Sequence, residues 1–156
     1  MTPNPTTMQT RIATLADVDA IAPLFDAYRQ FYEQPADLSL ASRFIRDRLL
    51  NNESLILLAV GEDRKILGFC QLYPSFCSVE AKPVYSLYDL FVRPEARRYG
   101  AGKALLQTAE RHAAQNGFAR LDLTTAKTNA SAQSLYQSLG WVRDDIYYAY
   151  SRHVGD

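Results

Sequence analysis

Val18, Ile21, Phe25, Tyr28 and Tyr32 recur at helical spacing and mark the buried face of a first helix. It follows a short strand, "TRIAT", and begins at Thr14 with Asp17 three residues on, the spacing of a capping box. Pro23 inside the pattern predicts a bend or a split, because proline removes one rung of the hydrogen-bond ladder. After "EQPAD" a second helix is predicted over Leu40 to Leu50, with Ser39 as its cap and Phe44, Ile45 and Leu49 turned inward.

The pattern then changes from helical spacing to short apolar runs. "SLILLAV", the turn "GEDRK" and "ILGFCQLY" predict a hairpin of two buried, antiparallel strands. A loop, "PSFCSVEAKP", leads to a third strand, "VYSLYDLFV", which ends at Arg93-Pro94. A glycine-containing loop opens a helix through Ala104, Leu105, Leu106, Ala109 and Ala113 that closes near Asn116-Gly117. "ARLDLTT" reads as a strand, "NASAQSLYQSLG" as a helix ending on Gly140, and "WVRDDIYYAYS" as a last strand. The order is β-α-α-β-β-β-α-β-α-β, an α/β (α+β) chain.

Composition narrows the class. The 156 residues fit a single domain, 1–156, with 1–9 as a flexible tail, and are enough to bury a core without staples. The two cysteines, Cys70 and Cys77, form no disulfide framework and lack metal-ligand spacing, so a reducing, cytoplasmic setting is expected and no metal. Lys plus Arg equals Asp plus Glu at 17 each, so no global basic field draws the chain to nucleic acid. No apolar run approaches the length of a membrane span, and none is expected to engage a membrane. Against that neutral background, the cluster Arg93, Arg97, Arg98 and Lys103 calls for a small anionic partner.

The cluster surrounds "RRYGAGKALL", two glycines before a helix start, which is the makeup of a phosphate cradle. A Walker A loop fits poorly, although Gly102-Lys103 is present. Arg97 stands where its first glycine belongs, and Ala104 replaces the magnesium-ligating hydroxyl. A dinucleotide fingerprint gains some support from Asp122, about twenty residues on, but Leu105 takes the third glycine position and the preceding elements are not a parallel βαβ unit. What remains is Arg97-Arg98-Tyr99-Gly100-Ala101-Gly102, read as [Q/R]-x-x-G-x-[G/A]. With "LYDLFVRPEARRYGAGKALL" upstream and "TNASAQSLYQSLGW" downstream, the chain resembles the GNAT superfamily of acetyl-CoA-dependent N-acetyltransferases over nearly its whole length. "LYDLFV" and "QLYPSF" further resemble the branch holding diamine and histone/polyamine acetyltransferases.

The resemblance implies a mostly antiparallel sheet with two splayed parallel strands and about four flanking helices. It implies acetyl-CoA as cosubstrate, with its pyrophosphate held by Arg97, Arg98, Tyr99, Gly100, Ala101, Gly102 and Lys103. Its pantetheine arm would pair with the main chain of Leu90, Phe91 and Val92, where an N–H can also polarise the thioester carbonyl. Asn129 caps the following helix, binds the cofactor, or does both. Tyr136, seven residues later, is placed where the family often carries a tyrosine that protonates the departing thiolate. A core aromatic beside Leu135 and Leu139 is the plainer reading of Tyr136.

The nucleophile is expected to be the substrate's amine. Cys70, Cys77, His112 and His153 have settings that suit inert thiols and surface histidines. Asp89, an acid inside an apolar strand, is the candidate to receive and deprotonate an ammonium group; pairing within the structure is the alternative. Glu33, Asp37 and Glu80 lie in segments that line the acceptor side in the family. Tyr28, Tyr32, Tyr73, Tyr85 and Tyr88 offer either cation–π contacts or core packing. The expected acceptor is a small cationic amine of polyamine, amino acid or aminoglycoside type. The alternatives are a protein lysine or N-terminus and a binding module without turnover. Homodimers are common in the family, and the aromatic segment "DDIYYAYS" offers an edge for pairing.

Overall fold

The computed structural model describes residues 8–155 and divides at Thr124–Thr125 into two compact units. The expected tail, 1–9, lies outside the described residues up to residue 7, whereas Gln9 belongs to the first strand.

In the larger unit the elements are β1 (Gln9–Ile12), α1 (Val18–Phe31), α2 (Leu38–Leu50), β2 (Leu55–Val60), β3 (Ile66–Cys77), β4 (Lys82–Val92), α3 (Ala101–Gln115) and β5 (Leu121–Asp122). The sheet order is β1-β2-β3-β4-β5, antiparallel except for the parallel pair β4–β5. Helices α1 and α2 pack together, and α1 also meets β3 and β4, while α3 lies on β2, β3 and β4. On the α1 side Ile21, Leu24, Phe25, Ile45, Ile56, Leu58 and Phe69 form the core. Ala101, Leu105, Leu106, Ala109 and Ala113 are the buried residues of α3.

Several boundaries differ from the expectations. Helix α1 runs through Pro23 without a split, preceded by a 3-10 turn over Leu15–Asp17 in which the Thr14 N–H donates to Asp17 Oδ2 at 2.8 Å. Tyr32 lies past the end of that helix and is exposed rather than inward. The cap of α2 is Asp37, whose carboxylate accepts from the Leu40 N–H at 3.0 Å, so the helix starts two residues before the expected Leu40.

Strand β3 runs through Pro74 to Cys77 where a loop was expected. The reason is local. Pairing with β2 ends at Leu72, so at Pro74 the strand has a partner only on the β4 side and proline's missing N–H interrupts no central ladder. Gly68 stands opposite Val92. A Cβ there would lie 2.7 Å from the Phe91 carbonyl oxygen, so any side chain would push β4 aside.

The smaller unit contains α4 (Ala130–Ser138), which ends as expected at Gly140 in the left-handed region (φ 90). The last strand expected from "WVRDDIYYAYS" is not formed. Ile146, Tyr147, Tyr148 and Tyr150 are exposed in irregular chain, and among the described residues this unit holds no second strand to pair with the segment's backbone. None of the described helices is long and apolar enough to cross a membrane.

Candidate active site

The parallel pair β4–β5 is short, and that shortness makes the first element of the site. It extends only over Tyr85↔Leu121 and Ser86↔Asp122, while β4 continues to Val92. The Arg93 N–H donates to the Leu67 carbonyl at 2.8 Å, so alternation turns the Phe91 main chain toward β3 and those of Leu90 and Val92 toward the opposite edge. Phe91 therefore differs from the expectation for this trio. Its ring packs 6.2 Å from Tyr28 on the core side. A β-bulge at the same place adds a residue, Tyr88, between the pairs Gln71↔Asp89 and Leu72↔Leu87.

Beyond β4 the chain makes a 3-10 turn, Pro94–Ala96, and enters α3 through Gly100, whose φ of 86° is the left-handed conformation that glycine adopts without strain. The first intrahelical bond runs from the Ala104 N–H to the Gly100 carbonyl at 2.9 Å. The amides of Ala101, Gly102 and Lys103 precede it, so they point out of the helix end toward any anion placed there. Beyond the adjoining chain, nothing among the described residues lies within 4 Å of where a Gly100 Cβ would stand, so the loop is open on that side. Arg98 and Lys103 are exposed beside it, and Tyr99 is half-buried. Arg97 is occupied differently: its Nε donates to the Val92 carbonyl at 2.9 Å, and its guanidinium sits 5.5 Å from the Phe91 ring centre. It ties the glycine loop to the free edge of β4.

The third element is a buried polar chain. Asp89 is 6% exposed, and its Oδ2 accepts from Gln71 Nε2 at 2.7 Å, while Gln71 Oε1 accepts from the Ser54 hydroxyl at 2.7 Å. Burial pushes the Asp89 carboxyl above its ordinary value, and the hydrogen bond from Gln71 partly opposes that rise. Burial and the nearby Asp89 charge push the Tyr28 phenol well up and the Tyr73 phenol up to about 12. Both are therefore neutral at physiological pH. Tyr28 also donates to the Tyr88 carbonyl at 3.3 Å and meets the Tyr32 ring at 5.1 Å, and Tyr73 meets Tyr88 at 5.5 Å. An acid thus sits within an aromatic wall.

Other candidates have structural tasks. Tyr85 is buried against Phe118, ring centres 3.7 Å apart. Asp37 caps α2, and Glu80 pairs with Arg120 at 2.9 Å. Asp122 pairs with the same arginine at 3.0 Å. Glu33 is exposed at the end of α1 with φ 65, a helix-terminating conformation. Cys70 is fully buried, and burial raises its thiol to about 12, which leaves it unreactive.

In the smaller unit Asn129 does cap α4: its Oδ1 accepts from the Ala132 N–H at 3.2 Å. Tyr136 is half-buried, its ring 5.9 Å from that of Trp141.

Gln71 and Ser54 are site residues not expected from the sequence. A signal was present, since Gln71 is the one polar side chain in the run "ILGFCQL" and antiparallel counting places it opposite the acid of "LYDLF".

Residues 19–141 match the acetyltransferase (GNAT) family. The chain is 47% identical to the uncharacterized N-acetyltransferase YhfO of Bacillus subtilis over 94% of its own length and 98% of that protein's. It superimposes on the crystal structure of a probable acetyltransferase with a TM-score of 0.90 at 38% identity, covering 95% of this chain and 99% of the other. A shorter stretch, 50% of this chain and 34% of the relative, is 31% identical to L-ornithine N5-acetyltransferase NATA1 of Arabidopsis thaliana.

Proposed function

The chain belongs to the acetyltransferase (GNAT) family, and we propose that it moves the acetyl group of acetyl-CoA directly to a primary amine carried by a small cation. Acetyl-CoA supplies an acetyl group activated as a thioester. The chain's own residues fit such a molecule. The outward amides of Ala101, Gly102 and Lys103 and the side chains of Arg98 and Lys103 would bind its pyrophosphate. The edge of β4 at Leu90 and Val92 would align its extended arm.

The observation that carries the acceptor class is Asp89, an acid buried beneath Tyr28 and Tyr73 on the strand whose edge is left free. It binds the ammonium group, takes a proton from it and so frees the nitrogen lone pair. The new N–C bond forms as the C–S bond breaks, the nitrogen sheds its remaining excess proton to solvent, and Tyr136 donates one to the leaving sulfur. The L-ornithine in the name of the Arabidopsis thaliana relative is a cationic amine of this kind.

Asp89→Asn tests the reading. Because the carboxyl must be ionised to act, activity in the wild type falls as pH drops through the raised value of Asp89. Without that base, kcat/KM for cationic amines is expected to fall by about 10²-fold and the rate profile to move to higher pH, where solvent supplies free amine. Acetyl-CoA binding should barely change. A folded variant with wild-type rate and pH optimum would make Asp89 a structural acid.

The proposal extends to the chain acting as one acetyltransferase domain, since the family match crosses the boundary between the two units. It also includes a cytoplasmic homodimer. The free thiols of Cys70 and Cys77 suit a reducing compartment. Ile146, Tyr148 and Tyr150, alternate and exposed, suit a segment covered by a second copy. Sedimentation velocity at micromolar concentration should give twice the chain mass. The monomer mass would reject the dimer.

A further inference from the structure

We propose that Gln71, itself oriented by Ser54, is a positioning residue that keeps the Asp89 carboxylate fixed and ready to accept a proton. The inference rests on the reading of Asp89 as the group that receives the amine. It begins with register. Gln71 and Asp89 are direct partners across β3 and β4, one residue from the bulge at Tyr88, and they are the two buried polar side chains among the described residues. Two strands that are otherwise apolar here each contribute one polar group, and the two are bonded to each other at 2.7 Å.

The chemistry gives this pairing a direction. A carboxylate only accepts, so the amide must turn its Nε2 toward Asp89, leaving Oε1 to find a donor. Ser54 supplies one at 2.7 Å, from the segment just before β2. A glutamine held at both ends cannot flip without placing its carbonyl oxygen against a carboxylate. The carboxylate thus selects the amide orientation, the Ser54 hydroxyl holds the amide's other end in place, and the amide donor in turn favours the ionised carboxylate. Because Gln71 is fully buried, the bond is not exchanged for one to water. The groups facing Asp89 from α1 and the neighbouring strands are Tyr28, Tyr73, Cys70 and Gln71. The phenols and the Cys70 thiol are neutral, and among the described residues no cation pairs with Asp89, so the acid's readiness depends on hydrogen bonds rather than on an ion pair.

A bond that favours the charged form lowers the carboxyl's pKa, opposing burial. Removing it should therefore raise that value and move the acid limb of the rate profile to higher pH. Gln71→Met retains an unbranched side chain of similar length and deletes the donor. Ser54→Ala, at a half-buried position, leaves the core intact and frees the amide to turn.

The test is a carbon-13 titration of aspartate-labelled protein without ligands, in which Asp89→Asn identifies the Asp89 signal. The same variants are then assayed for kcat/KM against pH with whichever of putrescine and L-ornithine the wild type acetylates faster. We expect the Asp89 titration to rise by about one pH unit or more in Gln71→Met and by less in Ser54→Ala, with the acid limb of kcat/KM following in the same order. Unchanged titration in both variants overturns the inference, and so does a shifted titration with an unmoved acid limb. Should Gln71→Met fail to fold, Ser54→Ala carries the decision alone. The two readings fail differently. If Asp89→Asn keeps the wild-type profile, the proposed role of Asp89 is lost; if Asp89→Asn shifts the profile while the Gln71 and Ser54 variants do not, only the positioning role is lost.

Discussion

Replacing Gly100 with valine is expected to abolish acetyl-CoA binding, measured by calorimetry, while the variant remains folded. Two effects act together. At φ 86° a side chain incurs about 1–2 kcal/mol of strain, more for a β-branched residue, so the loop would leave the conformation that aims the amides of Ala101, Gly102 and Lys103 outward. If the loop instead held, the new side chain would stand in the open space in front of it, where nothing among the described residues beyond the adjoining chain lies within 4 Å of the Cβ position. Either outcome removes the cradle. Gly100→Ala, with less bulk and less strain, should fall between. Unchanged affinity in a folded Gly100→Val protein would mean that the glycine serves only the turn.

Tyr136→Phe is expected to lower kcat by about 10²–10⁴-fold with acetyl-CoA affinity nearly intact. A phenol suits the task because its ordinary pKa, about 10, is close enough to a thiol's for proton transfer to the leaving sulfur. Phenylalanine keeps the ring and its contact with Trp141, 5.9 Å away, so tryptophan fluorescence should report an undisturbed helix end. Full activity in this variant would pass the role to another donor. Tyr73, whose phenol stays protonated to about 12, is then the next position to change.

Much of the fold could be read from period and punctuation. The stretch from Ala101 to Gln115 carried both a helical apolar face and glycines at its ends, and it forms α3. Residues 144–151 show where pattern alone misleads: alternation of Ile146, Tyr148 and Tyr150 describes a strand's two faces but says nothing of whether another strand is there to pair. Pro74 misled in the other direction. A proline ends a central strand but not one whose second neighbour has already stopped, and that depends on β2 ending at Leu55↔Leu72.

The site divides along the same line. The glycine loop was legible because its chemistry is local in sequence, and so was the acid within "LYDLF". Arg97 was expected on phosphate yet reaches back to the Val92 carbonyl, because a long side chain takes the nearest free acceptor and sequence does not say which one that is. Asp37 and Glu80 illustrate the other limit. A carboxylate in the right segment can be consumed by a helix end or an arginine, and only the fold reveals the competitor.

The burial of Asp89 has a thermodynamic side. Its carboxyl titrates higher in the folded chain than in the unfolded one, so between those two values the folded state holds more protons. Stability contributed by this group is therefore full at low pH, declines as pH rises through that window, and stays diminished above it. Above that window the ionised acid weakens the fold that houses it. Asp89→Asn, which keeps an acceptor for the Gln71 amide, should then melt no earlier than the wild type. Selection for heat resistance alone would discard this residue, so a thermostability screen blind to turnover would drift toward inactive protein at this position.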